Sequence, residues 1–314
     1  MKIIFLFFDG LGLGDNDRSN PFSYTPTPNL KSLLGGQPFT REAAGFRGDK
    51  VALIALDATL GVAGLPQSAT GQAAIFTGKN VPKLLGYHVH GLPGRRIKEQ
   101  LAAHGMFKQL QQKGFRCFFL NGYRPQFFQK LKNGDLRGFS CSTLITYYAG
   151  LPFRSLKDVE EGNALYADIT NSTLRQMGFS LPEITAKEAA RRLVALSRNY
   201  DLVLFEHFQT DLAGHRADPE AAGKSVDLID DFLGHIIRYL PEDTLLFMTS
   251  DHGNLENTSS NVHTLNPVPA LFYGPFDYSC VQQMKDLTDI FPTLLHHLQS
   301  NIIAGREEKG KKIV

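Results

Sequence analysis

The feature that most restricts the fold is a set of short, unbroken apolar runs, each placed beside a carboxylate or an imidazole. Leu245-Leu246-Phe247-Met248 empties into Thr249-Ser250-Asp251-His252-Gly253-Asn254, and Ile3 to Phe8 ends at Asp9-Gly10. Leu202 to Phe205 is followed by Asp211 and His215, and His263 precedes a further run, Ala270 to Tyr273. Runs that are apolar at consecutive positions read as strands covered on both faces, as in the parallel sheets of α/β proteins. The predicted fold is therefore a three-layer α/β/α sandwich with a mainly parallel sheet, and its ligands should collect beyond the carboxyl ends of the strands. Carboxylate oxygen and imidazole nitrogen together suit Zn²⁺ or Mn²⁺. Asp-His-Gly by itself reads equally well as a polar turn capped by its aspartate.

Composition narrows the partners. The 314 residues, 42% of them hydrophobic, suffice for one sizeable core, and a single domain spanning 1–314 is expected. Basic and acidic residues number 33 and 31 and are spread along the chain, so no global field points to nucleic acid or an anionic membrane. Cys117, Cys141 and Cys280 show no CxxC spacing, which argues against a disulfide framework or a zinc ribbon and fits a reducing, cytoplasmic setting. The apolar N-terminus imitates a secretion signal but stops after six residues at Asp9, and no run approaches the roughly 18 apolar residues of a membrane span.

In chain order, Gly10 to Asn20 is a loop, Thr25 to Leu30 leads into a short helix, and Val51 to Leu56 is the next strand. Gly61 to Gly71 is again a loop, and Gln72 to Phe76 is helical, so Ser68 lies at or just before a helix N-terminus. Read alone, Ser68 caps that helix through its hydroxyl; free amides and the positive dipole end would also favour an anion there. The loop Gly86 to Arg96 carries His88, His90, Arg95 and Arg96, candidates for substrate contact or for a solvated loop. Ile97 to Lys113 should be one helix and Phe115 to Leu120 a strand. Pro125 to Asn163 has no sustained period and is a candidate for a small lid or an irregular insertion.

Thr185 and Glu188 occupy the reciprocal positions of a capping box for a helix running to about Arg198. Asp211 and His215, four apart, share a face if they are helical, as a common metal requires; a local Asp–His hydrogen bond is the alternative. Asp218-Pro219 opens a long amphipathic helix whose apolar positions, Val226 to Leu240, are core. Leu287 to Leu298 is the last clear helix, and Arg306 to Lys312 is a charged tail expected to be mobile. His296 and His297 lie too far from any strand end to join a metal set.

Taken in order, Phe8-Asp9-Gly10, Thr27-Pro28-Asn29-Leu30, Gly64 to Gly71 around Ser68, Asp211-Leu212-Ala213-Gly214-His215, Asp251-His252-Gly253-Asn254 and His263 to Pro269 form a specific set. The set resembles the metalloenzyme branch of the alkaline phosphatase superfamily, which includes cofactor-independent phosphoglycerate mutase and phosphopentomutase. The resemblance implies two divalent metal sites, one of Asp211, His215 and His263, the other of Asp9, Asp251 and His252 with the Ser68 oxygen. It also implies that Ser68 is the nucleophile. Two departures stand out: Gln72 replaces a histidine usual in the mutases, and Pro125 to Asn163 is too short for their large inserted cap. The expected activity is hydrolysis of a small phosphorylated substrate through a phosphoserine, ahead of a phosphomutase. The alternative of another class is a non-catalytic, metal-stabilised binding module, which would have no use for Ser68. A sulfatase-like hydrolase is disfavoured, since no CxPxR-like motif surrounds Ser68.

Overall fold

The computed structural model describes the backbone of residues 1–311 and the side chains of residues 1–300. Eight strands follow the chain: β1 (Lys2–Phe8), β2 (Val51–Leu56), β3 (Cys117–Phe119), β4 (Gly122–Tyr123), β5 (Arg154–Ser155), β6 (Leu202–His207), β7 (Thr244–Thr249) and β8 (Val268–Tyr273). Six of them form the central sheet in the order β2-β8-β7-β1-β6-β3, while β4 and β5 make a separate two-stranded pair. The pairs β1–β6, β1–β7 and β3–β6 are parallel, and only β8 runs against its neighbours. The expected mainly parallel α/β sandwich is what forms.

The unbroken apolar runs are explained by helices on both faces. Ile3, Phe5 and Phe7 of β1 point into a core with Phe76, Leu101, Phe107 and Leu294, whereas Ile4, Leu6 and Phe8 point into a second core with Leu193, Ile229, Phe232 and Leu233. Alternate side chains of a strand face opposite sides, so a doubly covered strand must be apolar throughout. The 21-residue helix Pro219–Tyr239 supplies much of the second core, and its Asp218 cap and first-turn proline are as the sequence indicates. Among the described residues no helix is long and apolar enough to cross a membrane.

Local details depart from the sequence reading where tertiary contacts intervene. The segment Ile97 to Lys113 is two helices, Arg95–His104 and Met106–Gln112, broken at Gly105. A Cβ at Gly105 would lie 2.6 Å from the Leu101 carbonyl oxygen and 3.1 Å from Ile145, so the tight junction packs against the neighbouring helix Cys141–Tyr148. Only half of the Thr185 capping box forms: Thr185 accepts from the Glu188 amide, but the Glu188 carboxylate is taken by Arg191 and Arg192. Pro125 to Asn163 is more regular than its pattern indicates, with helices at Pro125–Lys132, Cys141–Tyr148 and Leu156–Glu160. The final helix spans Ile290–Lys311, so most of the expected tail continues it as backbone; the mobility expected of Arg306 to Lys312 falls outside what is described of its side chains.

One long-range cap explains a motif whose role the sequence left open. Thr27 makes no side-chain cap to the short helix Pro28–Leu33. The buried Asp230 carboxylate, reaching from the long helix, accepts from the Asn29 amide at 3.1 Å and the Leu30 amide at 2.7 Å instead. An acidic group at a helix N-terminus meets both its orphan donors and its dipole. Thr27-Pro28-Asn29-Leu30 thus ties two helices together and places no group in the site.

Candidate metal centre

Sheet topology gathers the charged residues at one edge. Asp9 follows the carboxyl end of β1, Asp211 lies in the helix Gln209–Arg216 just after β6, and Asp251-His252 follow β7. Because β8 is antiparallel, its beginning lies at the same edge, and this brings in His263 from the loop before it. Ser68 is the first residue of the helix Ser68–Thr77. Its hydroxyl does not cap that helix: Gln67 is the N-cap residue, without a side-chain cap, and Ser68 Oγ lies 3.0 Å from His252 Nε2.

Two groups of donor atoms result. His215 Nε2 is 3.3 Å from Asp211 Oδ2 and 3.3 Å from His263 Nε2, so the four-residue spacing does place Asp211 and His215 together. His252 Nε2 is 3.3 Å from Asp9 Oδ1 and 3.6 Å from Asp251 Oδ2. Asp9, Asp251 and His252 could hold one metal ion, and Asp211 with His252 and His263 offers a second cluster, so His252 reaches toward both. Its ring stacks on that of His263 at 3.7 Å between centroids.

The donor chemistry fits cations. His215 Nδ1 and His263 Nδ1 face the carbonyl oxygens of Asn261 and Pro66, each at 2.8 Å. A carbonyl only accepts, so each Nδ1 carries a proton, and Nε2 is the nitrogen each ring turns toward the site. The two Nε2 atoms face each other at 3.3 Å, a spacing that a shared cation would satisfy. Asp9 Oδ1 is buried without a hydrogen-bond partner. Burial and the Asp251 carboxylate hold the Asp9 carboxyl well above its usual range, and burial raises Asp251 as well. At His252 burial opposes the charge, but Asp251 and Asp9 outweigh it and draw the imidazole up to about 10. Bound divalent charge would reverse this balance and keep the carboxylates ionised.

A second layer of side chains holds these groups. Asn254 Nδ2 donates to Asp211 Oδ1 at 2.7 Å, and Gln72 Nε2 donates to Asp251 Oδ2 at 3.1 Å and to Asp9 Oδ2 at 3.4 Å. Gln72, the departure from the mutase pattern, thus spans two carboxylates of one cluster. The buried Glu256 accepts from the amides of Gly12 and Asn254 at 2.9 and 2.8 Å, from Asn266 Nδ2 at 3.0 Å and from the Thr264 hydroxyl, fastening both ends of the β7–β8 loop to the loop after β1. The sequence reading missed Glu256; a glutamate two residues beyond Asp-His-Gly-Asn, facing polar loops, was the available signal. Gly10 is in the left-handed region at φ +69°, and a Cβ there would stand 2.7 Å from Asp211 Oδ1, so glycine lets the two strand ends approach.

A cavity of about 530 Å³ adjoins the centre and is lined by Asp9, Ser68, Gln72 and Asp211, by the buried Asn121 and Glu206, and by Tyr123, Phe127 and Phe139. Four expected substrate contacts lie outside that lining. His90 is nearest, with its ring 6.2 Å from that of His263 and Nδ1 2.9 Å from Gln67 Oε1. His88 Nε2 faces the Val62 carbonyl, Arg95 pairs with Glu99 in solvent, and Arg96 donates to the Leu84 carbonyl. The cavity is lined instead by residues of the segment after β4, whose sequence shows no readable period.

Comparison with known proteins agrees with this geometry. Residues 159–302 match the Metalloenzyme superfamily. A 2,3-bisphosphoglycerate-independent phosphoglycerate mutase from Roseobacter denitrificans is 30% identical over 142 residues, 42% of this chain and 28% of that protein. The matched stretch is thus under a third of that mutase's length. The PH0037 protein of Pyrococcus horikoshii shares the fold at a TM-score of 0.59 and 14% identity, over 95% of this chain and 96% of its own. Leishmania mexicana phosphoglycerate mutase does so at a TM-score of 0.57 and 11% identity, over 95% of each chain. A metalloenzyme family implies bound metal ions, and the two Asp/His clusters are where this chain could hold them. Over residues 159–302 the chain is thus similar to the Metalloenzyme superfamily, and over its length it shares the fold of the two solved structures.

Proposed function

We propose that the protein is a two-metal phosphoryl-transfer enzyme that hydrolyses small phosphate esters through a phosphoserine at Ser68. Asp211, His215 and His263 would hold one ion, and Asp9, Asp251, His252 and the Ser68 oxygen the other, with Mn²⁺ or Zn²⁺ suiting the nitrogen and oxygen donors. When bound, the ions supply positive charge to the phosphoryl oxygens and lower the pKa of the nucleophile. The observation that carries the reading is the position of Ser68 Oγ, free of any cap and 3.0 Å from His252 Nε2.

The chain's own groups fit the rest of the reaction. Ser68 Oγ attacks phosphorus as the ester oxygen leaves on the opposite side, and water then cleaves the phosphoserine. The ten-residue helix begun by Ser68 turns its N-terminal amides and dipole toward an incoming phosphoryl group. Gln72 and Asn254 hold the carboxylates in place with amide donors. Pro125 to Asn163 acts as a small lid, contributing Phe127 and Phe139 to the cavity. Gln126 and Lys130 of the same lining are exposed, so solvent reaches the cavity, which favours hydrolysis over return of the phosphoryl group.

An intramolecular phosphomutase is the second reading, favoured by the activity named for the sequence relatives. Reaction in ¹⁸O-labelled water separates them: label in released inorganic phosphate supports hydrolysis, and an isomerised product without phosphate release refutes it. Ser68→Ala should abolish trapping of a phosphoenzyme in either case; wild-type turnover in that variant would mean that water attacks directly.

A further inference from the structure

We infer that the alcohol half of the substrate is apolar, an alkyl or aryl phosphomonoester rather than a glycerate or sugar phosphate. The inference rests on the phosphoryl-transfer reading above and concerns what the rest of the cavity recognises. Three observations carry it.

The first is the wall. Tyr123 of β4, with Phe127 and Phe139 from the segment after it, lines the same cavity as Ser68 and Asp9, joined by Leu92, Phe208 and Leu212. Leu92 is 53% exposed, Leu212 44% and Phe208 37%. Single exposed apolar residues are ordinary, but several converging on one concavity mark a surface meant to be covered. The second is position. Leu212 directly follows Asp211, and Phe208 is the N-cap residue of the same helix, so the apolar surface begins beside the metal centre.

The third is that the polar floor is already committed. Asn121 donates from Nδ2 to the Glu206 carbonyl at 2.7 Å and accepts at Oδ1 from the Glu206 amide at 2.9 Å. Ser142 Oγ donates to Glu206 Oε2 at 2.5 Å, and Ser140, Thr143 and the Tyr123 hydroxyl continue the chain at 2.6–2.9 Å. A site that selects a polyol keeps free donors and acceptors for its hydroxyls, and leaving such groups unmatched is costly. Here most of that capacity is spent internally. Arg124 and Lys130, the cations of the lining, are exposed at its rim.

The test is calorimetric binding of a homologous series to the metal-loaded, full-length protein: inorganic phosphate, then methyl- through hexylphosphonic acid, with 3-phosphoglycerate and glucose 6-phosphate as polar comparators. Phosphonates keep the head group but cannot be hydrolysed at carbon–phosphorus, so binding is read without turnover. Affinity should rise by up to about fourfold per methylene, the value for complete burial, through at least the butyl compound. Phe208→Ala combined with Leu212→Ser should flatten that ladder, judged against the same variant's own methylphosphonate affinity. A flat ladder in the wild type, or tighter binding of either polar comparator than of butylphosphonate, overturns the inference alone. Failure of inorganic phosphate to bind overturns the phosphoryl-transfer reading and this inference with it.

Discussion

Glu206 is the buried acid whose behaviour the structure makes most quantitative. It is 6% exposed, and burial, reinforced by the Asp251 carboxylate and only partly relieved by Ser142, pushes its carboxyl from 4.5 up to about 7. The folded protein therefore holds this proton where the unfolded chain releases it. Stability from Glu206 is fully present below about pH 4.5 and is lost as pH rises through about 7. At about 1.4 kcal/mol per tenfold change in the proton equilibrium, the accumulated loss is on the order of 3 kcal/mol by pH 8. Glu206→Gln keeps the neutral shape and an oxygen to accept from Ser142 but removes the titration. Urea-unfolding free energies of both chelated proteins, taken every half unit from pH 5 to 8, should diverge, with the variant becoming the more stable by up to about 3 kcal/mol at the alkaline end. The other carboxylates are common to both chains and largely cancel in the difference. Parallel curves, or a wild type that gains on the variant as pH rises, would refute the burial argument.

Asp230→Ala should destabilise the fold by about 2–4 kcal/mol in chemical unfolding, because it strands the Asn29 and Leu30 amides where no other cap reaches them; a loss under about 0.5 kcal/mol would show the long-range cap to be incidental. Gly71→Ala should destabilise by about 1–2 kcal/mol despite alanine's higher helix propensity, since its Cβ would meet the Asp251 carbonyl oxygen at 2.8 Å. The same variant should bind metal more weakly in titration, because the clash separates the Ser68 helix from the Asp251 strand end.

Much of this was legible because it is local. A strand covered by helices on both faces has to be apolar at every position, so Ile3 to Phe8 and Leu245 to Met248 announced themselves. Candidate ligands flank such runs, so Asp9, Asp211, His215, Asp251, His252 and His263 could be named, and their side chains lie at one edge of the sheet. What escaped was decided by distant partners. Glu256 serves amides and side chains from two loops, and Asp230 caps a helix 200 residues away; neither leaves a periodic trace. Glu188 matches a capping box, yet two arginines on its own helix compete for it. Arg95 and Arg96 suggested anion binding by charge alone, but the helix they begin directs them away from the cavity lining.

Metal stoichiometry tests the central claim most directly. The protein would be stripped with a chelator, reloaded with Mn²⁺ or Zn²⁺, freed of excess ion and analysed by mass spectrometry, alongside Asp251→Ala and His263→Ala. Two equivalents per wild-type chain, falling toward one in each variant, are expected from the two Asp/His clusters. Fewer than two in the wild type, or two in all three proteins, would contradict the assignment.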